Sequence, residues 1–122
     1  MKSDSLLLRQ VHPNFCPDGQ LSSQAFFPFP KDKGQLSVYD GAMITAEQSF
    51  VHYTKDLGFD SIGVWGVTNA EVVAIGLTSR SDSLPLSPAH ALVDFGTTSD
   101  KECRKLAKKL KVFALDRGRV YP

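Results

Sequence analysis

Arg9, His12, Ser22, Ser23, Tyr39 and His90 are the side chains whose types and placing could do chemistry in this chain. Arg9 interrupts an apolar run, "LLLRQV", that ends at His12 and Pro13. A guanidinium offers a fork for anions, and an imidazole transfers protons near neutral pH. The segment "LSSQ" follows with two adjacent hydroxyls, at Ser22 and Ser23. His90 stands where the proline-rich stretch "LPLSPA" enters an apolar segment, and strand ends are where a sheet presents side chains to a crevice. The reading that follows makes His12, His90 and Arg9 candidate catalytic groups: acid and base at a phosphodiester, or one imidazole orienting a ribose. Ser22, Ser23 and Tyr39 are the candidate ligand contacts.

A plainer reading stands beside it. Arg9 would pair with a carboxylate such as Asp40 or Asp94, and His12 would cap a turn. His52 is expected on an exposed helical face beside Lys55, inert. Cys16, four residues from His12, has the type of a nucleophile but reads as buried filler. His12, Asp40, His90 and Asp94 have ligand chemistry, yet no H-x-x-x-H, C-x-x-C or EF-hand spacing joins them, so no metal is expected.

These side chains need elements to hold them. Residues 5–12 read as a strand, because His12-Pro13 favours extended geometry at its end. A long proline-containing connection follows, with Phe26, Phe27 and Phe29 pinning it to the body, and "LSVYD" (36–40) is a second strand. "ITAEQSFVHYTKDLG" predicts a helix: Thr45 and Gln48 form a capping box, Ala46, Phe50, Tyr53 and Leu57 a buried stripe, and Gly58 the stop. "FDSIGVWGVT" (59–68) reads as a central strand, "NAEVVAIG" (69–76) as a short helix capped by Asn69, and "HALVDFG" (90–96) as a strand. The best-specified element starts at Ser99, with Glu102 as its capping partner, and ends at Gly118. Cys103, Leu106, Ala107, Leu110, Phe113 and Ala114 make its apolar stripe. The expected fold is α+β: one domain, 1–122, with a small mixed sheet of about four strands, two or three helices over it, and a long ordered loop after the first strand.

At 122 residues, 42% hydrophobic and 22% charged, the chain has the composition of one folded domain rather than a disordered one. Its two cysteines have no pairing or zinc spacing, and no apolar run approaches a membrane span, so a cytoplasmic protein without membrane contact is expected. Charge is uneven. Eight basic and three acidic residues fall between Ser99 and Pro122, leaving six basic and ten acidic ones in the rest. The basic helix is a candidate for following a phosphate backbone, although no aromatics interleave its cations. No Walker or G-x-G-x-x-G pattern is present, so no bound cofactor is expected.

"RQVHP" (9–13), "SSQAF" (22–26), "LSV" (36–38) and "AHA" (89–91) resemble the text of short uncharacterised bacterial proteins. More loosely, an Arg-bearing first strand, a hydroxyl-and-aromatic segment and a short "LSV" strand are similar to the layout of ADP-ribosyltransferase-like domains. That resemblance implies NAD as substrate, Arg9 or His12 on its nicotinamide or phosphate, Ser22 or Ser23 on a ribose, and Tyr39 as a stacking ring. The leading expectation is a polar pocket that binds or acts on a nucleotide-like ligand, NAD or RNA, in a toxin or defence component. Its rivals are a protein-binding or inhibitory module using the aromatic loop 25–30, and nucleic-acid contact through the basic helix.

Overall fold

The computed structural model describes residues 2–28, 33–96 and 98–122. Its centre is one five-stranded sheet, antiparallel throughout, in the order β3-β1-β2-β5-β4. The strands are β1 (Leu6–Val11), β2 (Gln35–Asp40), β3 (Gly63–Thr68), β4 (Thr78–Ser81) and β5 (His90–Asp94). The expectation of an α+β domain holds. The sheet gains β4, and no parallel pair occurs among the described strands.

Alternation divides the sheet into two faces. Leu7, Val11, Leu36, Val38, Trp65, Val67, Ala91 and Val93 pack in one buried cluster with the apolar stripe of α3 (Asp100–Arg117). Phe26 is part of that core and Phe27 packs against it, so these two rings are not a free docking surface. Phe29 lies outside the described residues. Leu8, Tyr39, Val64 and Ala89 form a smaller cluster on the opposite face, beneath Ala46, Phe50 and Tyr53.

The helices begin as their caps dictate. Thr45 accepts from Gln48 N at 3.1 Å and Gln48 Oε1 accepts from Thr45 N, closing the box of α1 (Ala46–Val51). The cap of α2 (Asn69–Ala74) is Thr68, paired with Glu71, one residue earlier than expected. Asn69 is already helical. Ser99 caps α3, and Gly118 ends it with a φ of 86°, which a side chain would strain.

After Val51, α1 does not continue as an α-helix: His52–Asp56 form a π-type turn. The wider turn rotates the following side chains relative to a 3.6-residue period. On the outer edge of β3, Val64 bonds to Tyr121 and Val120, and the Arg119 guanidinium lies 4.8 Å from the Trp65 ring centroid, so the C-terminal residues cover that edge. Cys16 and Cys103 are free and buried. No helix among the described residues is long and apolar enough to cross a membrane.

Candidate functional site

A cleft of about 710 Å³ opens on the α1 side of the sheet. Its floor is β1 and β2, one wall comes from Tyr53, Leu57 and Phe59, and the opposite wall from Leu84, Leu86, Ser87 and His90. The mouth is apolar and exposed: Phe59 is 55% accessible, Leu84 43% and Leu86 79%. Tyr53 and Phe59 stand with ring centroids 5.2 Å apart. The expected polar pocket is therefore an apolar, aromatic-walled cleft with a few polar groups, the usual composition of a small-molecule site.

Arg9, His12, Tyr39 and His90 all line this cleft. Ser22 and Ser23 do not. The Ser22 hydroxyl accepts from Gln24 N and starts the 3-10 turn Ser23–Phe26, while Ser23 borders a separate depression beside Asp100, Arg104 and Lys108. Those hydroxyls sit on the α3 side because the loop after β1 packs Phe26 into that core.

Leu8, Tyr39 and His90 are register partners across β1, β2 and β5, so they share a rung and a face. His12 lies four residues beyond Leu8. At about 3.4 Å per residue and 4.8 Å per strand, ideal sheet geometry puts His12 and His90 about 17 Å apart at Cα. That separation does not serve an acid and a base acting on one bond.

Each imidazole has its own task. His12 Nδ1 accepts from Asn14 N at 3.0 Å, capping the first 3-10 turn, and its Nε2 lies 3.8 Å from the exposed Asp60 carboxylate. His90 Nδ1 faces two acceptors, the Asp82 carboxylate at 3.0 Å and the Asp82 carbonyl at 3.1 Å, so Nδ1 carries the proton. With that tautomer fixed, Nε2 is the atom His90 presents to a ligand.

His52 is the residue that sequence reasoning missed. Its Nε2 lies 2.7 Å from the Leu86 carbonyl and its Nδ1 2.8 Å from the Tyr39 hydroxyl. A carbonyl only accepts, so Nε2 carries hydrogen, and in the neutral ring the Tyr39 O–H donates to Nδ1. His52 thereby ties α1, β2 and the β4–β5 loop together. His52 stands where α1 passes into the π-type turn, its own N–H still bonded to Gln48 O. Burial pushes the Tyr39 phenol up to about 12; hydrogen bonding to Ser87 opposes this, and the nearby Tyr53 and Asp56 add to it.

Backbone carbonyls take two of the donors of Arg9. Its Nε donates to Ala25 O at 2.7 Å and its Nη1 to Ser37 O at 2.9 Å. Asp94 accepts from Gly96 N and from Arg80, which hold its carboxyl below the usual range, and Asp40 Oδ1 accepts from Ala42 N. No group of three metal-ligating side chains is close enough to hold an ion among the described residues.

Comparison with family models, with curated proteins and with solved structures returned no match for this chain.

Proposed function

We propose that this protein binds a small ligand carrying a planar, nucleoside-like ring in the cleft between Tyr53 and Phe59 on one side and the β4–β5 loop on the other. The observation that carries this reading is the cleft's mouth, where Phe59, Leu84 and Leu86 hold apolar surface in water that a seated ring would cover. Tyr53 and Phe59 supply aromatic faces, and every base has a π-face to stack on them. His90 Nε2 meets a hydroxyl such as a ribose supplies. The guanidinium of Arg9 is directed at two backbone carbonyls, so the cleft favours the ring and sugar over a polyphosphate.

Titration of 15N-labelled protein with uridine, adenosine, NAD and a short RNA oligomer tests this. Shifts should concentrate at Tyr53, Phe59, Leu86 and His90. Phe59→Ala should weaken binding roughly 5–150-fold, the range of one lost stacking contact. Absence of shifts at these residues with every small probe overturns the reading. A second reading, contact with a polyanion, is favoured by Lys101, Arg104, Lys105, Lys108 and Lys109, all exposed on α3. Under that reading the RNA oligomer alone shifts signals, they lie on α3, and they fade with salt.

A further inference from the structure

Two fixed acceptors, the Leu86 carbonyl and the Asp82 carboxylate, decide where the hydrogens sit on the loop wall of the cleft. The Leu86 carbonyl takes the hydrogen on His52 Nε2, which leaves Nδ1 of the neutral ring to accept from the Tyr39 hydroxyl. Tyr39 then has no second hydrogen to give. Ser87, whose side chain bonds to the Tyr39 hydroxyl, must be the donor of that pair. A serine hydroxyl carries one hydrogen, and here it is spent. What Ser87 offers the cleft it lines is therefore an acceptor.

His90 reaches the same polarity by another route. Its Nδ1 gives its hydrogen to Asp82, and no bond reaches Nε2 among the described residues. No buried side-chain nitrogen or oxygen among them lacks a partner, so Nε2 is in contact with solvent. His90 lines the cleft and Asp82 does not, so with Nδ1 tied back to Asp82 it is Nε2 that turns to the opening. The two acceptors are neighbours. His90 N donates to Ser87 O at 3.0 Å, closing a turn between them, and Tyr39, which the Ser87 side chain meets, is the register partner of His90.

We infer that Ser87 Oγ and His90 Nε2 form a ledge of two acceptors, and that it takes the adjacent 2′- and 3′-hydroxyls of a ribose. The lining of the cleft selects this chemistry. A carbonyl, carboxylate or phosphate oxygen would meet only lone pairs on the ledge. An ammonium group would find no counter-charge, because Arg9 and His12 line the cleft but no Asp or Glu does among the described residues. Neutral hydroxyls remain, and two adjacent ones match two adjacent acceptors. The inference rests on the cleft reading and adds a substrate class to it: ribonucleosides rather than deoxyribonucleosides, with the ring toward Tyr53 and Phe59 and the sugar on the ledge. Ser87 is buried and His90 half-buried, so a sugar lacking either hydroxyl would leave an acceptor unpaired and out of water.

Titration of 15N-labelled protein with uridine, 2′-deoxyuridine and 3′-deoxyuridine separates the two levels, at mildly alkaline pH, which keeps an imidazole neutral. Uridine is expected to shift the His90 Nε2 signal together with Tyr53 and Phe59, and each deoxynucleoside to bind at least about fivefold more weakly. Ser87→Ala should lower uridine to the affinity of one of the two deoxynucleosides. If Ser87→Ala does not fold, the three nucleosides decide alone. Equal binding of all three, with Tyr53 and Phe59 shifted and His90 Nε2 still, overturns the ledge and leaves the cleft reading standing. No shift at Tyr53 or Phe59 with any of them overturns both.

Discussion

Arg9 and Tyr39 show how a residue's surroundings decide what its functional group does. A guanidinium in an apolar strand has the chemistry of an anion site, yet here it satisfies the Ala25 and Ser37 carbonyls where two backbone segments part. Tyr39 is buried among Leu8, Val64 and Ala89, and ionisation there is resisted. Its pKa is about 12 in the folded chain against an ordinary 10.0. The folded state therefore keeps a proton that the unfolded chain releases first. The stability this gives is complete below pH 10 and is lost as pH rises toward 12, a change of up to about 3 kcal/mol for two units. Absorbance of tyrosinate at 295 nm should show one phenol ionising late, together with unfolding, and Tyr39→Phe should remove that late step. A Tyr39 that ionises near 10 in the native protein would contradict the burial argument. At the acid end, burial opposes ionisation of Glu71, but Arg117 and Thr68 outweigh it and hold the carboxyl below its ordinary range. The stability that bridge adds fades only as pH falls through the lowered value.

Among the elements, the junction of β1 with β2 is the weak one. Its paired positions number two, against six between β1 and β3, and the contact of Gly41 with Leu6 closes its end. A methyl on Gly41 would sit 2.5 Å from the Leu6 carbonyl oxygen, which belongs to the backbone and cannot swing aside. Gly41→Ala should cost about 1–3 kcal/mol in urea denaturation, the usual cost of overpacking, with faster hydrogen exchange at Leu8 and Tyr39 than at the β1–β3 ladder. Unchanged exchange at those amides would mean the junction is not the weak seam. The elements also show what a sequence discloses. α3 was legible because cap, stripe and stop agree within one contiguous stretch. β4 was not, since "TSRS" on an exposed edge carries no apolar alternation to read. His52 was placed in solvent because its partners, the Tyr39 hydroxyl and the Leu86 carbonyl, lie on β2 and the β4–β5 loop, which helical periodicity does not register. That Leu8, Tyr39 and His90 share a rung depends on non-local register, which no local pattern encodes. Arg9, His12 and His90 could be picked out by type, and the turn that His12 caps is local, through Asn14 N; the Ala25 and Ser37 carbonyls that Arg9 meets and the Asp82 that His90 meets lie on other segments and could not be read.

At the scale of the whole molecule, the two faces of the sheet divide the labour. α3 seals one face over a continuous core, with Leu110 and Ala114 fully buried against it. α1 and its π-type turn cover only part of the other, and the uncovered remainder is the cleft. Stability and recognition should then respond to different substitutions. Leu110→Ala, which opens a cavity under α3, should destabilise the protein by about 2–5 kcal/mol. Leu86→Ala, at a site 79% exposed, should change stability by less than about 0.5 kcal/mol and still weaken ring binding, because it removes apolar surface that only a bound ligand would cover. Urea melts of both variants with and without uridine measure this. A Leu86→Ala protein as unstable as Leu110→Ala would show the β4–β5 loop to be a packed part of the core, whereas a stable one with weakened binding locates recognition on the face that α3 leaves free.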